Sequence, residues 1–130
     1  MLAGNRVRLR AIERSDIPNF VRWLNDREVT EPLLIHSPLS TAEEEGWYER
    51  YLSQGSATNE ILGIEILVGT DWLLVGNTGL HRIESVNLAA EFGIFIGEKE
   101  YWSQGFGREA TRLMLYHGFN DLNLNRIYLH

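Results

Sequence analysis

The chain of 130 residues has no cysteine, three prolines and a single lysine, Lys99, beside eleven arginines. The missing cysteine excludes disulfides, thiolate metal sites and cysteine nucleophiles together, and a soluble, cytoplasmic setting is the simplest expectation. No apolar run approaches the roughly 18 residues of a membrane span, and the opening MLAGNRVRLR has no signal-peptide core, so no membrane partner is expected. A clustered basic face is absent as well. With a formal net charge of −6, the chain offers little for counterion release, and no nucleic-acid partner is expected. The acidic surplus either weakly attracts cationic amines or serves solubility alone.

What is present suits one domain over residues 1–130. Hydrophobic residues make up 44% and aromatic ones 11%, enough for a core buried without cross-links. Residues 5–12 alternate through Arg6, Val7, Arg8, Leu9 and Arg10, the period of a half-buried strand with its arginines on the solvent face. Ser15 or Asp16 can cap a helix with Pro18 in its first turn and Ile17, Phe20, Val21 and Leu24 at helical spacing. Residues 27–39, with Pro32 and Pro38, read as a loop. Ser40 opens STAEEEGWYERYLSQG, acidic in its first turns and closed by Gly55, as a second helix would be. From about residue 60 to 97, three extended runs separated by turn residues predict an antiparallel meander. Residues 107–122 return to helical spacing, with Ala110, Leu113, Met114 and Leu122 on one wide arc, and NRIYLH begins a last strand. This order predicts an α/β fold: a mixed, mostly antiparallel sheet with flanking helices.

The run YWSQGFGREATRLML, residues 101–115, places Gly105 and Gly107 just ahead of the last helix. GFGREA formally satisfies the dinucleotide fingerprint G-x-G-x-x-G/A at Gly105, Gly107 and Ala110, but its context is wrong. Residues 98–104 separate it from its strand, the strands before it form a meander, and no acid follows about 20 residues later to hold a ribose. A P-loop is excluded because Arg108 and Glu109 stand where lysine and a hydroxyl residue are needed. Two physical readings remain. The glycines let backbone N–H groups approach a pyrophosphate at a helix N-terminus, or they only make a tight strand-to-helix turn.

Residues 89–129 resemble the acetyl-CoA-binding core of the GNAT superfamily of N-acyltransferases. The runs VRLRAIERSDIPNFVRWLND and VGNTGLHRI extend the resemblance over nearly the whole chain, closest to the branch of the ribosomal-protein alanine N-acetyltransferases. The superfamily pattern Arg/Gln-x-x-Gly-x-Gly/Ala is met at Gly105 and Gly107, whereas its first position holds Trp102. The resemblance implies a GNAT fold with acetyl-CoA as cosubstrate and no metal. It also implies that Ser103, Gln104, Gly105, Phe106, Gly107 and Arg108 line the pyrophosphate, and that Phe95, Ile96 and Gly97 bond the pantetheine arm through their backbone. A strand edge supplies the donors and acceptors that a row of amides needs.

Acetyl transfer to an amine needs no enzyme nucleophile. It needs orientation, a base for the ammonium proton, and stabilisation of the developing oxyanion. Glu91 interrupts an apolar strand just before the pantetheine segment and is the first candidate base, although it can equally pair with Arg82 across the meander. His81 is the second. His36, His117 and His130 show no spacing with acids that would make a metal site. Trp23, Trp47, Tyr48 and Tyr51 suit either core packing or an acceptor wall. The expected function is acetyl transfer to a primary amine, a protein N-terminus first. The alternatives are a small amine such as a polyamine, amino sugar or antibiotic, or a non-catalytic acyl-CoA-binding module. The resemblance further implies that the domain continues past His130, through another helix and strands that carry a tyrosine acid. A chain lacking them is expected to form a homodimer.

Overall fold

Alternation along the extended runs builds a six-stranded sheet whose strands lie in sequence order. In the computed structural model, which describes residues 1–33, 37–54 and 58–129, β1 (Leu2–Ala3) pairs antiparallel with β2 (Val7–Ala11) and β2 with β3 (Glu60–Val68). The meander continues through β4 (Asp71–Glu84) and β5 (Ala89–Ile96), and β6 (Arg126–Leu129) then runs parallel to β5. Gly55, His36 and His130 lie outside the described residues.

Among the described residues four α-helices cover the sheet: α1 (Ile17–Leu24), α2 (Arg27–Thr30), α3 (Thr41–Gln54) and α4 (Phe106–Tyr116). Asp16 helps to start α1, but by reaching backwards: its carboxylate accepts the Glu13 N–H at 2.8 Å across a short 3-10 turn. The stretch 27–39 is not all loop. Asp26 accepts the Glu28 N–H at 3.0 Å and caps α2 before Pro32. At α3, Ser40 Oγ accepts the Glu43 N–H at 3.1 Å while Glu43 accepts the Ser40 N–H at 3.3 Å, a reciprocal capping box. The helix α4 is shorter than 107–122, because a π turn over His117–Asp121 widens its end and puts Leu122 beyond it.

The sheet is buried on both faces. Val7, Leu9, Ile64, Leu80 and Phe92 meet Phe106, Ala110 and Met114 of α4 on one face. On the other, Ile17, Phe20 and Trp23 of α1 pack with Tyr48 of α3, Ile12 and Leu74, each fully buried large side chain contributing roughly 1.5–3 kcal/mol. Trp23 and Tyr48 are therefore core residues. The arginine run is not a plain solvent face. Arg8 Nε and Arg10 Nε donate to the buried Glu65 at 2.6 and 2.8 Å, and Arg10 also holds the buried Asp16 at 2.8 and 2.9 Å. Burial alone would raise the Glu65 pKa, but its two arginine partners outweigh it and hold the carboxyl below the usual range. The cause is position: β2 lies inside the sheet, and Glu65 stands directly opposite Arg8.

Candidate active site

The glycine loop enters α4 through left-handed backbone. Ser103 has φ +62° and Gly105, the residue that caps the helix, φ +86°. Phe106 then anchors the first turn: its buried ring meets Tyr101 edge-on at 6.1 Å and lies under the Arg6 guanidinium at 4.7 Å. Its side chain belongs to the core, so only its backbone faces the loop. Arg6 also binds Glu109, in the first turn of α4, at 2.8 Å, and a Cβ on Gly105 would lie 3.4 Å from Arg6 Nη2. A cation therefore flanks the loop from β2's approach, a contribution that the sequence motif does not carry. A Cβ on Gly107 would meet nothing within 4 Å, so this helix start opens onto free space. Ser103, Gln104 and Arg108 are exposed around it.

Backbone parity decides what β5 can offer. The Leu88 carbonyl accepts from Asn125 N, on the β6 side, at 2.7 Å, and Gly97 N donates to Val75 O, on the β4 side, at 2.6 Å. Even-numbered residues of β5 therefore turn their N–H and C=O groups toward the β6 edge and odd-numbered ones toward β4. Of Phe95, Ile96 and Gly97, only Ile96 faces outward, and Ile94 joins it. Phe95 and Gly97 have other tasks. Phe95 packs edge-on against Trp23 at 6.1 Å, and a Cβ on Gly97 would overlap the Trp23 indole. Among the described residues β6 accompanies β5 only as far as Phe92. Past that point lies an apolar slot of about 310 Å³ walled by Val29, Leu33, Ile94, Phe95, Ile96, Trp102 and Gly107. It joins the β5 edge to the open side of Gly107. A larger hollow of about 650 Å³, beside Asn25, Arg27 and Glu31, does not reach the loop.

One strand row carries the candidate bases. His81 stands opposite Glu91 on β5, and Glu91 stands opposite Tyr128 on β6. The neighbouring row is Gly79 opposite Gly93, whose missing side chains leave room for the imidazole: a Cβ there would lie 3.0 or 3.5 Å from His81 Nε2. Burial pushes the His81 pKa down, Glu91 counteracts this in part and Arg82 adds to it, so the ring stays below the usual histidine range. Glu91 accepts from the exposed Arg82 at 2.7 Å. Arg82 reaches it from a bulge with φ +51°, a conformation costing about 1 kcal/mol for a side-chain-bearing residue. Nearby, Tyr51 bonds the Ile61 backbone and stacks on Trp47 at 5.5 Å, so these two aromatics border the same face. His117 does find acids, Asp121 at 2.7 Å and Glu60 at 2.8 Å, one of them 57 residues away in sequence.

The structure thus brings Phe95, Ile96 and Gly107 to one slot, and His81 and Glu91 to one row. The sequence reading missed Ile94, Arg6 and the place of Tyr128. Each depends on parity or register, for which the sequence carries no local signal.

A family model described as an acetyltransferase (GNAT) domain matches residues 6–130. An uncharacterised N-acetyltransferase of Bacillus licheniformis, p20, is 29% identical over 97% of this chain and 70% of its own length. The ribosomal N-acetyltransferase candidate YdaF of Bacillus subtilis is 35% identical, over 52% of this chain and 37% of its own. The spermidine N-acetyltransferase of Vibrio cholerae, solved with CoA and spermine, superposes with a TM-score of 0.85 at 28% identity, over 97% of this chain and 71% of that one. Another structure of that enzyme is described as dodecameric.

Proposed function

The chain belongs to the acetyltransferase (GNAT) domain family and is an N-acetyltransferase acting on an amine; we propose that acetyl-CoA is the donor and a polyamine the acceptor. The observation that carries the donor is the continuity of two features: an N-terminal helix turn open at Gly107 and a slot running from it along the outward backbone of β5. The turn suits a pyrophosphate and the strand edge suits a row of amides. Acetyl-CoA supplies an acetyl group activated as a thioester. The remaining chemistry falls to the protein. Loop residues Ser103 to Arg108 present backbone N–H groups and partial positive charge to the phosphates. The Ile94 and Ile96 backbone aligns the arm. His81, neutral at pH 7 because of burial, takes the proton from the acceptor's ammonium, and Glu91, fixed by Arg82, stabilises the imidazolium.

Similarity to the Vibrio cholerae spermidine enzyme along the whole chain supports the polyamine reading, and a net charge of −6 favours a cationic acceptor. A protein N-terminus is the second reading, supported by the higher identity to YdaF over half of the chain. The dodecameric relative supports self-association, with a homodimer as the smallest form. Light scattering should then give at least twice 15.0 kDa, and a stable monomer would rule it out. The function is tested by calorimetry with CoA and by thiol release from acetyl-CoA with spermidine, spermine, an amino sugar and an N-terminal peptide. Amine-dependent release, fastest with a polyamine, is expected. CoA binding without acetylation of any amine would make the chain a binding module instead.

A further inference from the structure

Trp102 occupies the position at which the superfamily pattern carries Arg or Gln, and its side chain turns to the edge of β5. Its indole Nε1 donates to the Ile96 carbonyl at 2.7 Å, and the ring forms one wall of the apolar slot while remaining 38% exposed. By strand parity the Ile96 carbonyl is the last outward-facing acceptor on β5, the group that an amide of the cofactor arm would otherwise use. Gly107 lies on the same slot, so the indole stands between the helix start and the strand edge.

We propose that Trp102 is a positioning residue for the acyl-CoA arm rather than a phosphate ligand. By holding the Ile96 carbonyl it removes one of the acceptors on the strand edge, and the arm pairs instead with the Ile96 N–H and the Ile94 backbone. This sets how far along β5 the thioester sits, and hence its place relative to the row of His81 and Glu91. The ring supplies the apolar wall that keeps the arm against the strand. The inference rests on the proposed use of acetyl-CoA but concerns only which portion of the cofactor the residue recognises.

The test compares two cofactors that share the arm and differ in the nucleotide. Trp102→Phe keeps the ring and deletes the donor, and Trp102→Ala deletes both. Calorimetry with CoA and with pantetheine should show equal changes for the two ligands, within about threefold of the wild type for Trp102→Phe, because the lost bond lies within the protein and the freed Ile96 carbonyl becomes available to the arm. Trp102→Ala should weaken both. In turnover, Trp102→Phe should lower kcat by about tenfold or more for acetyl-CoA and acetyl-pantetheine alike, with KM changed by less, because the freed carbonyl lets the thioester shift along β5. A loss confined to CoA would return the residue to the phosphate site, and an unchanged kcat in Trp102→Phe would leave the bond without a positioning role; either result overturns the proposal. Thermal melts of both variants identify a folding defect, and Trp102→Phe, which keeps the ring, serves if Trp102→Ala unfolds. Failure of wild-type protein to bind CoA at all would instead sink the donor assignment, so the two failures are separable.

Discussion

The two glycines of the loop should fail in opposite ways. Gly105 is needed for its backbone: at φ +86° any side chain costs about 1–2 kcal/mol, so Gly105→Ala should lower the melting temperature by roughly 3–10 °C. Gly107 has ordinary helical backbone and no neighbour within 4 Å of an added Cβ. Gly107→Ala should therefore raise stability by about 0.5 kcal/mol through helix propensity, and Gly107→Val should at least not lower it. Binding should separate the two Gly107 variants. The resembled pattern admits alanine at this position, so one methyl fits beside a phosphate, whereas the branched valine side chain fills the space in which the phosphate meets the helix start. Losing two charge-assisted backbone hydrogen bonds of about 1.5–3 kcal/mol each would weaken CoA by roughly 10²- to 10⁴-fold. Melting curves and calorimetry on the same samples check both signs. A folded Gly107→Val protein with unchanged CoA affinity would refute the reasoning and leave the loop a simple turn.

Ser103 adopts left-handed backbone at φ +62° without being glycine; Ser103→Gly should relieve that strain and, after glycine's extra unfolded-state entropy, raise stability by roughly 0.5 kcal/mol, read by denaturant titration. Burial alone would lower the His117 pKa, but its hydrogen bonds to Asp121 and Glu60 and their charges raise it above the usual value. A raised folded-state pKa gives stability that is complete below the unfolded pKa and fades as pH rises through the folded one, so His117→Gln should destabilise clearly at pH 5.5 and little at pH 9. The acid limb of kcat/KM should lie below the usual histidine range, because His81 must be neutral to accept a proton. Glu91→Gln removes the charge that raises the His81 pKa, so the limb should move to still lower pH while turnover falls; a limb that stays or rises would count against this pairing.

The chain order of the elements from β2 onward was legible because period-two alternation, turn residues and helix caps are local, whereas the two-residue β1 before the expected first strand and the parallel sense of β6 were not. Arg6 to Arg10 marked β2, Ser40 and Glu43 marked α3, and the change of period after Gly107 marked α4. The misreadings have physical causes. Asp26 announced α2, but two prolines close behind it suggested an uninterrupted loop. The π turn at His117 continues a helical pattern that backbone geometry has already left. The arginine ladder reads as a solvent face because nothing local indicates that Glu65, far along the chain, lies opposite Arg8.

The site divides along the same line between side chains and backbone. Side-chain candidates on neighbouring strands can be guessed from composition, and Glu91 and His81 do share a row; that row also includes Tyr128, which only the parallel register of β6 reveals. The proposed cofactor cradle is built mainly from main-chain groups, and every residue type carries those. Period two shows which side chains share a face, but which residues turn their N–H and C=O groups outward is fixed by a single pairing, such as Gly97 with Val75, made across more than twenty residues of sequence. Shift that pairing by one residue and the outward set becomes Phe95 and Gly97, two of the three residues that the resemblance names together with Ile96. The same shift would put Trp102 against a carbonyl already engaged by β4, so its bond to Ile96 and the parity of β5 support one another.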